Sequence, residues 1–379
     1  MARAVCEQLT PFLVMNVLER AQKLEQQGAH VIHLEIGQPD FPSPECVNEA
    51  AIQAIKDGHS AYTHSLGILP LREAIAEYYA DEYGVTVSPE QIVVTNGTSP
   101  AMMTLMCAVC EAGDTVAMPT PTYACYESFT RFAGATPLLV PAAEHEGFQL
   151  NPVTVKNALR PDTRAILLNS PSNPAGSLIS RETLSELAKL GPMLISDEIY
   201  HGLVYEGKAV SALEVTDNCC VLDGFSKRYA MTGWRLGWMV VPQEYIPLLN
   251  TLMQNFFISA NAMTQWAGIA ALKHAAPDMA RMVEEYGRRR IALLAGLKKL
   301  GFGVQSSPVG AFYILADARH LGTDSLTLAY DILEKAHVGV APGIDFGQAA
   351  EGYLRFSYAN SLENIEEAVA RIQTYLENR

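Results

Sequence analysis

Basic residues are scarce in this sequence. Lys and Arg number 27 against 41 Asp and Glu, a formal net charge of −14. A nucleic-acid partner needs clustered cations to meet its phosphates, and an anionic membrane surface asks for the same, so neither partner is expected. Long hydrophobic runs are missing as well. Every long apolar stretch is broken by a charge, Pro or Gly, so no transmembrane helix is expected. The first residues, with Arg3 and Glu7, lack the apolar core of a signal peptide. Cysteines are few and odd in number, seven in all, and Cys219 and Cys220 are sequence neighbours, a poor disulfide geometry. Cys107 and Cys110 make a CxxC with no second pair and no nearby His, so they read as buried core thiols. The thiol pattern points to a reducing cytoplasm. Internal repeats, low-complexity tracts and metal-ligand clusters are absent, and the Gly-Phe-Gly at 301–303 is too short for a dinucleotide fingerprint.

What is present is a chain of 379 residues, 49% apolar and 18% charged, suited to a compact protein of about two domains with a large core. It is organised around residues 224–237, Gly-Phe-Ser-Lys-Arg-Tyr-Ala-Met-Thr-Gly-Trp-Arg-Leu-Gly, which follow the buried-strand pair Val221 and Leu222. Lys227 stands beside the hydroxyl of Ser226, and Arg235 comes eight residues later. A lysine amine forms a Schiff base with a carbonyl and shifts its pKa readily when desolvated. The planar fork of an arginine suits a phosphate. A compound carrying both an aldehyde and a phosphate engages both groups, and pyridoxal 5′-phosphate (PLP) is such a compound.

The stretch resembles the PLP-attachment signature of the class I/II aminotransferases, which are fold-type I PLP enzymes similar to aspartate aminotransferase. Further segments resemble that family in the expected order over most of the chain. The loop Gly37-Gln38-Pro39-Asp40-Phe41 resembles its Gly-x-Pro-x-Phe loop, and the resemblance implies that the Gly37 N–H meets the substrate carboxylate. Residues 62–72 resemble a segment whose tyrosine, here Tyr62, reaches the cofactor phosphate of a neighbouring subunit, which implies a homodimer with a shared active site. Gly97, Thr98 and Ser99 precede a helix expected from about Pro100 to Cys110; hydroxyls, N–H groups and the positive helix end converge there on an anion, and simple N-capping fits the same residues. Tyr123 matches the family's ring-stacking aromatic. Asn173 lies in a loop that departs from the family pattern at Ser170 and Ala175. The resemblance implies that Asn173 and Tyr200 bond the cofactor's phenolic oxygen. Asp197, at a strand's C-terminal end, would pair with the pyridine nitrogen, or else cap the following turn. Arg355 sits in an apolar strand and needs an anionic partner, either the substrate α-carboxylate or a structural acid. The run Arg288-Arg289-Arg290 reads as a solvated helix face.

The implied fold is α/β. A large PLP-binding domain, 45–276, would carry a mostly parallel seven-stranded sheet flanked by helices, and residues 1–44 and 277–379 would form a smaller α/β domain from both termini. The implied activity is transfer of an α-amino group between an L-amino acid and a 2-oxo acid, through a Lys227 aldimine and a pyridoxamine phosphate intermediate. Lys227 would also be the general base. A carbon–sulfur β-lyase shares these residues, and a non-catalytic ligand-binding protein is the reading from another class. No Lys or Arg lies between Leu236 and Leu272 or between Gly97 and Thr130, which favours neutral or aromatic substrates. A dicarboxylic substrate would need Arg3, Arg20 or His64.

Overall fold

The computed structural model describes residues 6–379, so Arg3 lies outside the described residues. Helix α1 (Leu13–Gln26) and the short strand β1 (Ile32–His33) come first, then helices α2 (Glu45–Lys56) and α3 (Leu69–Tyr83). Strands and helices then alternate as β2 (Ile92–Thr95), α4 (Thr98–Val109), β3 (Thr115–Thr120), α5 (Cys125–Phe132), β4 (Thr136–Pro141), α6 (Pro152–Ala158), β5 (Thr163–Asn169), α7 (Arg181–Ala188) and β6 (Met193–Asp197). Strands β7 (Cys219–Gly224) and β8 (Gly237–Val240) bracket the lysine segment. Helices α8 (Ile246–Phe256), α9 (Ala262–His274) and α10 (Ala276–Lys299) lead to β9 (Tyr313–Asp317), α11 (Ser325–Ala336), β10 (Val338–Gly339), β11 (Ala341–Pro342), β12 (Tyr353–Ser357) and α12 (Leu362–Glu377).

Seven strands form one sheet in the order β2-β8-β7-β6-β5-β3-β4. Strand β8 runs antiparallel to both neighbours and every other pair is parallel, as expected from the sequence. Its central strands are apolar on both faces because helices cover both. Side chains alternate across the sheet, so Ile166 and Leu168 of β5 join the core on one face and Leu167 the other. Strand β7 divides likewise, with Cys219 and Val221 on the first face and Cys220 and Leu222 on the second. Helices α2, α3, α7 and α9 pack on the first face, α4 and α8 on the second. A separate three-stranded antiparallel sheet, β11-β12-β9, and the parallel pair β1-β10 share another core with α10, α11 and α12.

Two sequence expectations are corrected here. Cys110 is buried but Cys107 is exposed. A spacing of three shares a face only while the helix continues, and α4 ends at Val109, leaving Cys110 in extended backbone (φ −107°, ψ 146°). The arginine run is not a solvated face either. Successive helix positions turn by about 100°, so only Arg288 faces water. Arg289 and Arg290 are 6% and 8% exposed. Arg289 Nη1 donates to both carboxylate oxygens of Asp40 at 2.8 Å, and Arg290 Nη2 meets Glu206 at 2.5 Å. The first of these pairs ties the loop after β1 to helix α10.

Arg289→Met is expected to destabilise the protein by about 2 kcal/mol, between an exposed and a fully buried broken pair. Arg288→Met, whose pair with Glu285 is exposed, is expected to cost less than about 0.5 kcal/mol. Denaturant unfolding of the two variants decides the matter, and equal losses would contradict the assignment.

Candidate active site

The parallel strands β5, β6 and β7 end side by side, with Asn169 beside Asp197 and Asp197 beside Leu222 in register. Carboxyl ends of parallel strands are where open α/β sheets bind ligands. A cavity of about 370 Å³ opens there. Its walls include Gly37, Thr98, Ser99, Tyr123, Asn173, Asp197, Tyr200, Ser226, Lys227, Arg235 and Arg355. Segments separated by hundreds of residues thus bring nearly all the nominated groups into one space. Gly97 adjoins the cavity through Arg235.

Lys227 follows β7, where the chain leaves the sheet. Its Nζ donates to the Gly37 carbonyl at 2.5 Å, so within the chain this glycine offers its oxygen to the lysine. The amine is pushed down to about 8 by burial and by the nearby Arg355 and Arg235 cations, with Asp197 opposing. Roughly a tenth of the amine is therefore neutral, and nucleophilic, at pH 7, and the share grows as pH rises toward 8.

Helix α4 begins at Thr98, two residues earlier than the sequence indicated, with Gly97 as its N-cap (φ 100°) and no side-chain cap. Capping thus leaves the hydroxyls of Thr98 and Ser99 unused. The orphan N–H groups and positive end of the helix face the cavity with them. Arg235 closes this end from a left-handed conformation, φ 53°. A Cβ on Gly97 would lie 2.5 Å from Arg235 Nη2, and one on Gly237 would lie 3.0 Å from the Thr98 nitrogen. Glycine at both positions lets backbone and guanidinium close around an anion.

At the opposite end, the Asp197 carboxylate accepts from the Tyr126 hydroxyl at 2.7 Å and the Ile199 N–H at 3.2 Å. The second bond is the turn cap considered from the sequence. Burial pushes Asp197 up to about 6, against the pull of these donors and of Lys227. It remains largely ionised at pH 7. Tyr126, Asn169 and Tyr313 are site residues that the sequence reading passed over. Asn169 donates to the Asp197 carbonyl at 2.8 Å and accepts from the Asn173 N–H at 2.7 Å. The hydroxyls of Tyr200 and Tyr313 lie 2.9 Å apart. Tyr126 stands three residues after Tyr123, the same face of a helical turn, and Asn169 and Tyr313 fall inside motifs already singled out; those were the available signals.

Arg355 is 2% exposed, yet no acidic side chain forms a salt bridge with it among the described residues. Its Nη1 donates to Asn173 Oδ1 at 2.9 Å, its Nη2 donates to the Glu35 carbonyl, and its buried Nε has no partner. The guanidinium lies over the rings of Tyr313 and Phe346, 4.3 and 4.8 Å from their centroids. The structural-acid reading of Arg355 therefore gives way to a buried cation left open for an anion.

Tyr62 is 82% exposed and outside this cavity. Arg20 is engaged by Glu334 on α11, and exposed His64 accepts from the Leu66 N–H at 3.1 Å. Neither lines the cavity.

A nucleophilic amine, an anion cradle and an unpaired guanidinium in one cleft define an enzyme for small anionic carbonyl compounds. The chain belongs to the family of class I and II aminotransferases, whose pattern it matches over residues 29–372, and it is an aminotransferase. It is 41% identical to a (5-formylfuran-3-yl)methyl phosphate transaminase of Methanocaldococcus jannaschii over 369 residues, 96% of each chain. It is 38% identical to an aspartate/prephenate aminotransferase of Thermus thermophilus over 378 residues, 97% of each chain. The solved aspartate aminotransferase of Thermus thermophilus with maleate superposes with a TM-score of 0.94 at 37% identity, covering 98% of each chain.

Proposed function

We propose that the cavity holds pyridoxal 5′-phosphate and that the enzyme works on amino acids with apolar or aromatic side chains. The residues fit the cofactor: Lys227 for its aldehyde, the start of α4 with Ser226 and Arg235 for its phosphate, Asp197 for its ring nitrogen and Tyr123 for its ring face. When bound, the cofactor supplies a protonated ring that accepts the electron pair released at the substrate α-carbon. Asp197, itself held by Tyr126, keeps a negative charge where that ring nitrogen would lie. Arg355 takes the substrate α-carboxylate in its fork. Lys227, held at reduced basicity, removes the proton from the α-carbon and returns it to the carbon that receives the amino group. Asn173, whose oxygen is committed to Arg355, keeps its amide N–H for the phenolic oxygen beside Tyr200.

The observation that carries the substrate class is the wall around these groups. Phe12, Val14, Met15, Leu18 and Ile36 line it, and its only lysine and arginines among the described residues are Lys227, Arg235 and Arg355. Each of the three has a task, so no cation remains for a second carboxylate. An apolar wall favours an apolar side chain by burial.

Tyr62 is assigned to the phosphate of the other subunit in a homodimer. Its exposure, together with that of Phe256 (69%) and Ile258 (46%), supports this reading, since Ser65 bonds the Ile258 carbonyl and places the two segments together. Division into a large domain, 45–276, and a small one is supported by the two cores on the faces of the seven-stranded sheet and by a third core drawn mostly from residues outside 45–276, which Ile199, Tyr200 and Leu203 join at the boundary. A cytoplasmic location is supported by seven free thiols. No helix among the described residues is long and apolar enough to cross a membrane.

The test is an absorption spectrum of the PLP-loaded protein during addition of single amino acids. Phenylalanine or leucine is expected to bleach the visible band at least ~10-fold faster than aspartate, the discrimination that one or two kcal/mol of pocket contact provides, and an added 2-oxo acid is expected to restore it. Fastest bleaching by aspartate would refute the substrate class. Failure to take up PLP would refute the cofactor, and steady release of ammonia and pyruvate from cysteine would favour the lyase.

A further inference from the structure

We infer that His33 and Glu35, which lie outside the cavity, are positioning residues for substrate carboxylate binding: their pairing sets the backbone strap that holds Arg355 and Lys227. The inference rests on the reading of Arg355 as the carboxylate site.

The strap is the segment after β1, which bends at Glu35. The Leu34 N–H donates to the Gly339 carbonyl at 3.0 Å, and the Leu34 carbonyl accepts from the Ser357 N–H at 2.6 Å, which sews it between β10 and β12. Its next carbonyls meet the two cations of the site. The Glu35 oxygen accepts from Arg355 Nη2, and the Gly37 oxygen accepts from Lys227 Nζ. One short segment therefore gauges the spacing of both cations. Among the described residues Arg355 has two hydrogen-bond acceptors, Asn173 and this strap, so a shift of the strap would turn the guanidinium.

The side chains of His33 and Glu35 meet across this bend. Glu35 is 0% exposed. Its Oε1 lies 2.6 Å from His33 Nδ1, while its Oε2 is buried without a partner among the described residues. A Cβ on Gly339 would lie 2.6 Å from the Glu35 carboxyl carbon, so glycine there makes room for the acid. From α1, Glu25 meets His33 Nε2 at 3.2 Å, and Asn360 donates to the His33 carbonyl at 3.0 Å. The charged groups facing the pair are thus Glu25 from α1 and, across the strap, Arg355 from β12. A buried carboxylate with a single partner is a poor stabiliser, since an apolar residue of similar volume is often as good. It is, however, a directional one, and it fixes the strap at the residue whose carbonyl Arg355 reads.

The hydrogen bond to Glu35 is the chief cause that raises His33 to about 9. Because the folded value lies above the unfolded value of 6.5, the stabilisation is fully present below about pH 6.5 and lost as pH rises through about 9. Glu35→Leu is expected to raise KM for both the amino acid and the 2-oxo acid about tenfold, the effect of one charge-assisted hydrogen bond, with kcat changed less than threefold. Glu35→Gln, which keeps an acceptor toward His33, is expected to recover most of that loss. His33→Gln is expected to raise KM in the same direction and to flatten the fall of the melting temperature between pH 6.5 and 9. Amide hydrogens at 34–38 should exchange faster in Glu35→Leu while those of β5, β6 and β7 do not. A lower melting temperature with unchanged KM in Glu35→Leu and His33→Gln would overturn the inference and leave a structural pair. If Glu35→Leu does not fold, an unchanged KM in His33→Gln overturns it alone. A normal KM in Arg355→Lys would instead remove the carboxylate reading, whatever the Glu35 variants do.

Discussion

Lys227→Ala should fold and lose turnover, with kcat lower by about 10⁴-fold or more, the upper range for a lost general base that is also the covalent anchor. Among the described residues the side chain has one hydrogen bond, to the Gly37 carbonyl, and no ion pair, so little structure depends on it. Its removal should even stabilise the cofactor-free protein. The amine sits near 8 in the fold and at 10.5 in the open chain, so folding sheds a proton between those values. The penalty for burying the charge is present in full below about pH 8 and disappears as pH rises toward 10.5. The variant should therefore melt higher than the parent at pH 7, with the gap closing by pH 10.5. Steady-state kinetics and melting curves across pH test both statements. Retained kcat would end the catalytic assignment of Lys227, and a gap that widens with pH would contradict the buried-charge argument.

Arg355→Lys is expected to lower kcat/KM about 10²-fold, mainly through KM, because an ammonium cannot form the paired bonds of a guanidinium fork. The geometry makes this substitution harsher than a surface exchange. Asn173 Oδ1 and the Glu35 carbonyl each accept from a separate Arg355 nitrogen, and the rings of Tyr313 and Phe346 pack against its guanidinium. A lysine has one nitrogen for both acceptors and no plane to stack, so the substrate carboxylate meets a cation already engaged. Equal falls in kcat and kcat/KM, with KM unchanged, would mean that Arg355 acts only in the transition state and would contradict ground-state carboxylate binding.

Much of this site was legible in the chain because its chemistry is carried by short contiguous motifs. Lys227 with Arg235, Asp197 with Tyr200, and the Gly97 to Ser99 turn each join a reactive residue type to the strand end or helix start that presents it. Those local rules set backbone direction and leave the partner open. The apolar strands at 163–168 and 221–222 were equally readable, since helices on both faces demand near-continuous apolar runs, whereas their division between two cores came from the fold.

The tertiary structure alone decided which distant groups meet. Tyr126 reaches Asp197 across 71 residues, Arg289 reaches Asp40 across 249, and Arg355 reaches the Glu35 carbonyl across 320. Nothing in a three-arginine run says which two are buried; that depends on the azimuth at which α10 packs against the loop after β1. Nor does the isolated Glu35 announce that its carbonyl and its carboxylate will serve opposite sides of one strap. The amino-acid sequence by itself determined the lysine segment and the family, and through that resemblance the sheet. Only packing decided which charges are left unpaired, because desolvation makes a buried cation without an acid costly unless an anion arrives, and burial is a property of the assembled fold.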